Sequence, residues 1–161
     1  MASVADEGSF PEVAGQNLEG KSYELPGDFE GDLNLVLVAF RREQQADVDT
    51  WLPVARRLER EYSAVRYYEL PVIDRLYRLA RPFIDGGMRA GIADATARER
   101  TITLYVDAAA FRRSLDLPTR NAIYALLVDR EGEVHWGSRG RRTDAAERAL
   151  GEAIDEHLDG G

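Results

Sequence analysis

Residues 35–62 read LVLVAFRREQQADVDTWLPVARRLEREY, and this stretch decides the fold. Its opening, Leu35 to Phe40, is an unbroken apolar run, the pattern of a strand buried on both faces. From about Gln45 to Tyr62, the residues Val48, Trp51, Leu52, Ala55, Leu58 and Tyr62 recur at helical spacing on one side. A doubly buried strand that feeds an amphipathic helix is the building unit of a sheet covered by helices.

Moving outward, the unit recurs. Val65 to Leu70 predicts a second strand, closed by Pro71. Ile73 to Ile84 reads as a helix interrupted at Pro82, and Gly86, Gly87 and Gly91 as a loop. Thr101 to Asp107 is a further strand, and Ala108 to Leu115 a short helix. Ala122 to Asp129 and Glu133 to Gly137 form a hairpin through Arg130, Glu131 and Gly132, which makes the sheet mixed. Thr143 caps a last helix reaching Leu158. Before Leu33 the chain is turn-rich, with Pro11, Gly15, Gly20, Pro26, Gly27 and Gly31 between short apolar pieces. Residues 1–32 therefore read as a hairpin or apron against the main body, and residues 71–100 as an insertion. No repeat or linker divides the chain, so residues 1–161 are expected to form a single domain of α/β/α layers.

Composition narrows the chemistry. The chain has no cysteine, which excludes disulfides, thiolate metal sites and dithiol exchange. His135 and His157 are far apart and match no zinc spacing, so the sequence calls for no metal and no cofactor. The net charge of −8 argues against general nucleic-acid binding. No apolar run is long enough to span a bilayer. Met1 to Phe10 lacks the basic start and apolar stretch of a secretory signal, so the expected location is cytoplasmic. Of the 21 basic residues only Lys21 is a lysine.

The order of elements and several local signatures resemble the thioredoxin family. The buried strand ends in an aromatic residue, Phe40, and Pro53 stands inside the helix that follows. Leu126 to Val134, Gly140 and Thr143 are similar to the last hairpin, its following glycine and the last helix cap of that family. The resemblance implies a thioredoxin-like three-layer α/β/α fold with a mixed central sheet, an N-terminal extension and a helical insertion. It places the family's two thiols at Gln45 and Val48, its cis-proline at Ile123 or Tyr124, and its buried aspartate at Ala39. None of these residues can do the redox chemistry. A narrower resemblance runs through FRREQQADVDTWLP, FIDGGMR and LLVDREGEVHW to the mitochondrial ATP-synthase assembly factor family and its prokaryotic relatives. It implies an assembly helper or chaperone-like binder.

In open α/β sheets, ligands bind beyond the carboxyl ends of the strands. Three loops should meet there: Arg41 to Ala46, Pro118 to Ile123 and Gly137 to Arg142. They carry Arg41, Arg42, Arg120, Arg139, Arg141 and Arg142 together with Gln44. Guanidinium groups suit carboxylates and phosphates, and the start of the first helix near Gln45 would add free amides for an anion. His135 lacks an evident carboxylate partner in the sequence. Asp85-Gly86-Gly87 has no following Lys-Ser or Lys-Thr and reads as a helix stop. Asp47 and Asp49 read as charges at a helix start, and Trp51, Tyr67, Tyr68 and Tyr105 as packing residues.

These readings converge on a non-redox binding or assembly module that works through a protein partner. Two alternatives stay open: a thiol-independent enzyme or binder acting on a small anionic ligand at the vacated face, and a structural homodimer.

Overall fold

The computed structural model describes residues 8–160. Strands β1 (Val13–Asn17) and β2 (Ser22–Leu25) form the N-terminal hairpin. The hairpin joins the main sheet as its edge: β1 pairs antiparallel with β5 (Ile102–Val106). Residues 1–7, the start of the expected N-terminal segment, lie outside the described residues.

Strand β3 (Leu33–Ala39) lies inside the sheet, parallel to β4 (Val65–Asp74) and antiparallel to β6 (Tyr124–Val128). Strand β7 (Val134–Arg139) closes the other edge, giving the seven-stranded order β2-β1-β5-β4-β3-β6-β7. Alternation along each strand divides the core in two. Leu33, Leu35, Leu37, Val65, Tyr67, Ala125 and Leu127 face helices α1 (Gln45–Asp49), α2 (Leu52–Glu61) and α6 (Asp144–Gly160). Val36, Val38, Tyr68, Leu70, Ile102, Leu104 and Leu126 face Phe111 of α5 (Ala108–Ser114) and the N-terminal Phe10, Tyr23 and Phe29.

The helix expected over Gln45–Tyr62 is broken into α1 and α2 at Thr50–Trp51. Pro53 has no N–H to give to the Asp49 carbonyl, so the chain tightens there through Thr50 N to Asp47 O and Trp51 N to Val48 O. The cap on the last helix forms as read, with Thr143 Oγ1 accepting from Ala146 N at 3.0 Å.

The middle of the chain corrects the sequence reading. Strand β4 does not stop at Pro71 but runs on to Asp74. Pro71 stands opposite Ala39 at the last rung of the β3 ladder, and from Val72 the strand pairs with β5 instead. A residue without an N–H is tolerated where one ladder hands over to the next. Ile73 is accordingly strand, and a 3-10 stretch, Arg75–Ala80, follows. Gly86, Gly87 and Gly91 belong to helix α3 (Arg81–Gly91) and not to a loop. Pro82 sits in the first turn of α3, where its missing donor is harmless. Asp85 pins the helix to β5, accepting from Tyr105 Oη at 2.8 Å and Thr103 Oγ1 at 3.3 Å. Those contacts hold two glycines in a helix that they would otherwise weaken. A further short helix, α4 (Ala95–Arg100), was not legible in the sequence.

Candidate functional site

The carboxyl ends of β3, β4 and β5, the start of β6 and the end of β7 lie at one end of the sheet. The three arginine-bearing loops open from this end. Gln44, buried, ties two of them together. Its Oε1 accepts from Phe40 N at 2.8 Å and Arg41 N at 3.1 Å, and its Nε2 donates to Arg120 O at 2.9 Å. The third loop is tied to the same helix start. Trp51 Nε1 donates to Gly140 O at 3.1 Å, Gly140 N donates to Ile123 O at 2.9 Å, and Arg142 N donates to Thr50 Oγ1 at 2.9 Å. Gly140 makes this turn at a φ of +89°, a conformation glycine adopts freely.

The positions assigned to the lost redox centre are placed as follows. Ala39 is half-buried at the end of β3, Val48 is buried on the inner side of α1, and Ile123 and Tyr124 are buried at the start of β6. Tyr124 Oη donates to Thr119 O at 2.8 Å and accepts from Thr119 N at 3.1 Å. Among the described residues the one cis peptide bond is Leu25–Pro26, so neither Ile123 nor Tyr124 reproduces a cis bond. Gln45 is exposed, with Nε2 donating to Asp49 Oδ1 at 2.8 Å and to Glu69 Oε1 at 3.1 Å.

Glu69 lies at this candidate site, and sequence reasoning missed it. It lies on β4 opposite Leu37, with only 6% of its surface exposed. Burial pushes its carboxyl above the usual range, and the Asp49 carboxylate adds to this, against the opposing pull of Gln45 and Arg56. The signal was present as one charge inside the apolar run YYELPV. A buried carboxyl beneath Gln45 can hold a proton where the face meets solvent.

The arginines divide. Arg142 is held by Glu147 at 2.6 Å and Asp144 at 3.0 Å, so it serves the start of α6 and is not offered to a ligand. Arg41 has a loose contact of 3.9 Å with Glu43. Arg42, Arg120, Arg139 and Arg141 are exposed and have no acidic partner among the described residues. The amides of Phe40 and Arg41 are not open to an anion, because Gln44 Oε1 already occupies them.

A second feature that sequence reasoning missed leaves the sheet at the same end. Immediately beyond β4, Leu76, Tyr77, Leu79 and Phe83 are 84%, 59%, 97% and 86% exposed. Arg75, Arg78 and Arg81 alternate with them. These apolar residues face outward and not into the core. The aromatic packing residues do lie inward as read: Trp51, Tyr67, Tyr68 and Tyr105 are all buried. His135 does have a carboxylate partner, contrary to the sequence reading: Asp129 Oδ2 lies 2.9 Å from its Nε2, at the far end of the sheet.

The mixed sheet, with helices on both faces and a loop-to-helix junction at Phe40–Gln45, is the thioredoxin-like fold. The solved structures it resembles agree. The exposed lipoprotein thioredoxin Etrx1 of Streptococcus pneumoniae is 15% identical, covers 90% of this chain and 99% of its own, and superposes with a TM-score of 0.57. BsSco, a member of the Sco family of cytochrome c oxidase assembly proteins, is 12% identical, with coverages of 96% and 95% and a TM-score of 0.62. The thioredoxin domain of a thiol-disulfide oxidoreductase from Bacteroides vulgatus is 17% identical, with coverages of 94% and 97% and a TM-score of 0.55. No family model and no curated protein matches the chain. No described helix is long and apolar enough to cross a membrane.

Proposed function

We propose that this chain is a non-redox, thioredoxin-like binding module that holds a protein partner at the vacated end of the sheet. The observation that carries this reading is the row of exposed apolar side chains, Leu76, Tyr77, Leu79 and Phe83, interleaved with arginines and leaving the sheet where the arginine loops open. An apolar patch rimmed by charge marks an interaction surface. The guanidinium groups of Arg42, Arg120, Arg139 and Arg141, which have no acidic partner among the described residues, suit a partner that brings carboxylates. The resemblance read in FRREQQADVDTWLP, FIDGGMR and LLVDREGEVHW to the assembly factor family adds an assembly role for this chain to the proposal.

Affinity capture from the native host tests the reading with two variants, one carrying Leu76→Ser, Leu79→Ser and Phe83→Ser, the other Arg41→Gln, Arg42→Gln and Arg141→Gln. Proteins retained by the wild type should be lost from the first variant and weakened on the second. An unchanged set of bound proteins on both would overturn it.

A further inference from the structure

The end of the sheet opposite the proposed partner face gathers the only two histidines of the chain. The turn between β6 and β7 is organised by Asp129. Its Oδ1 accepts from Glu131 N and Glu133 N, both at 2.9 Å, which fixes the carboxylate and leaves Oδ2 directed at His135 Nε2. His135 reaches that position through an irregularity in the hairpin. Leu127 pairs with Trp136 and Val128 with Val134, so His135 has no partner across the ladder. An extra residue of this kind re-aims a side chain, here out of the alternation and toward the C-terminal part of α6. The His157 ring of α6 meets it edge to face at 4.4 Å between centroids. One ligand atom from each of Asp129, Glu133 and His135 lies within 4.8 Å of the others.

We infer that Asp129, Glu133, His135 and His157 form a binding site for a divalent transition-metal ion of the zinc type, joining the last hairpin to the last helix. Two imidazoles and two carboxylates are a donor set that suits zinc and its neighbours over magnesium or calcium. Two carboxylates balance the charge of a divalent ion, with both imidazoles neutral. Bonds of about 2.0–2.2 Å need the donors closer than the outer limit of their present spacing. Glu133 is exposed, and its side chain is free to close that distance. Asp129 is already oriented by the backbone amides it accepts from, as ligating carboxylates commonly are. The sequence hid the site because His135 and His157 come from different elements and match no contiguous metal spacing.

With only two histidines, the proton resonances of the imidazole rings report the site directly. Zinc chloride is titrated into the full chain after chelator treatment, followed by NMR of both rings and by calorimetry. One zinc per chain, with both rings perturbed together, is expected. His135→Gln should weaken zinc binding by more than tenfold, and Glu133→Gln should weaken it while leaving the hairpin hydrogen bonds of Asp129 in place. Circular dichroism of each variant without metal separates loss of binding from loss of folding. If His135→Gln does not fold, the ring resonances of the wild type and the Glu133→Gln titration decide the matter. Zinc binding that leaves both rings unperturbed, that survives these substitutions unchanged, or that magnesium matches at equal concentration would overturn the inference.

Discussion

Glu69 and Asp129 are both buried carboxylic acids, yet their surroundings act on them in opposite directions. At Glu69 burial prevails and the folded state favours the protonated form. The associated stability is present below the unfolded value of about 4.3 and is lost as the pH rises through the folded value. Glu69→Gln should therefore raise the melting temperature at neutral pH, and the gain should vanish near pH 4, where the native carboxyl is itself neutral. At Asp129 burial also raises the pKa, but His135 and the Glu133 and Glu131 amides outweigh it, and the carboxyl titrates below its ordinary value. Its contribution is present above the unfolded value and is lost as the pH falls through the folded one. Asp129→Asn should lose about 1–3 kcal/mol at neutral pH, the scale of a hydrogen bond to a charged group, and little in strong acid. Denaturant melts across pH check both signs. Gln44 carries no charge, but it joins two loops from a buried position. Gln44→Ala leaves the Phe40 amide and the Arg120 carbonyl without their partner and should be destabilising by about 1–3 kcal/mol.

The elements legible in the sequence were those whose apolar pattern and partners agree. Strand β3 is apolar from Leu35 to Ala39 because both of its faces are covered, one by α1, α2 and α6, the other by Phe111 of α5 and the N-terminal Phe10, Tyr23 and Phe29. The final helix announced itself through Thr143 and an inward row that includes Leu150 and Ile154. Thr143→Ala should lower stability by about 1 kcal/mol, measured by thermal or urea unfolding. The region between Pro71 and Arg100 was misread for physical reasons. Pro71 looks like a strand end, but it lies between two ladders. Gly86 and Gly87 look like a loop, but a contact distant in sequence, Asp85 with Tyr105, holds them helical. At the face itself, the loops that would meet were legible from strand order. The pairing of Arg142 with Asp144 and Glu147, and the burial of Glu69, depend on side chains from elements that the sequence does not place together.

Across the whole molecule, Trp51 connects structure to site. It is fully buried against Trp136, with ring centroids 5.8 Å apart, and its indole donates to Gly140 at the mouth of the face. Trp51→Ala should lose about 3–5 kcal/mol and loosen the Gly137–Arg142 loop, seen as faster amide exchange of Gly140. The exposed row beyond β4 behaves in the opposite way. Leu76→Ser, Leu79→Ser and Phe83→Ser remove apolar surface that already faces water. Their melting temperature should stay near that of the wild type while partner capture is lost.

The hydrogen bonds that seal the loops have a consequence for what can dock there. Phe40 N, Arg41 N, Arg120 O, Ile123 O, Gly140 N and O, and Arg142 N all have internal partners. At these positions the main chain offers a visitor no vacant donor or acceptor. A guest's backbone finds no ladder to join at these loop positions. On the proposed function, a partner at these loops would be recognised through its side chains, by apolar contact and countercharge.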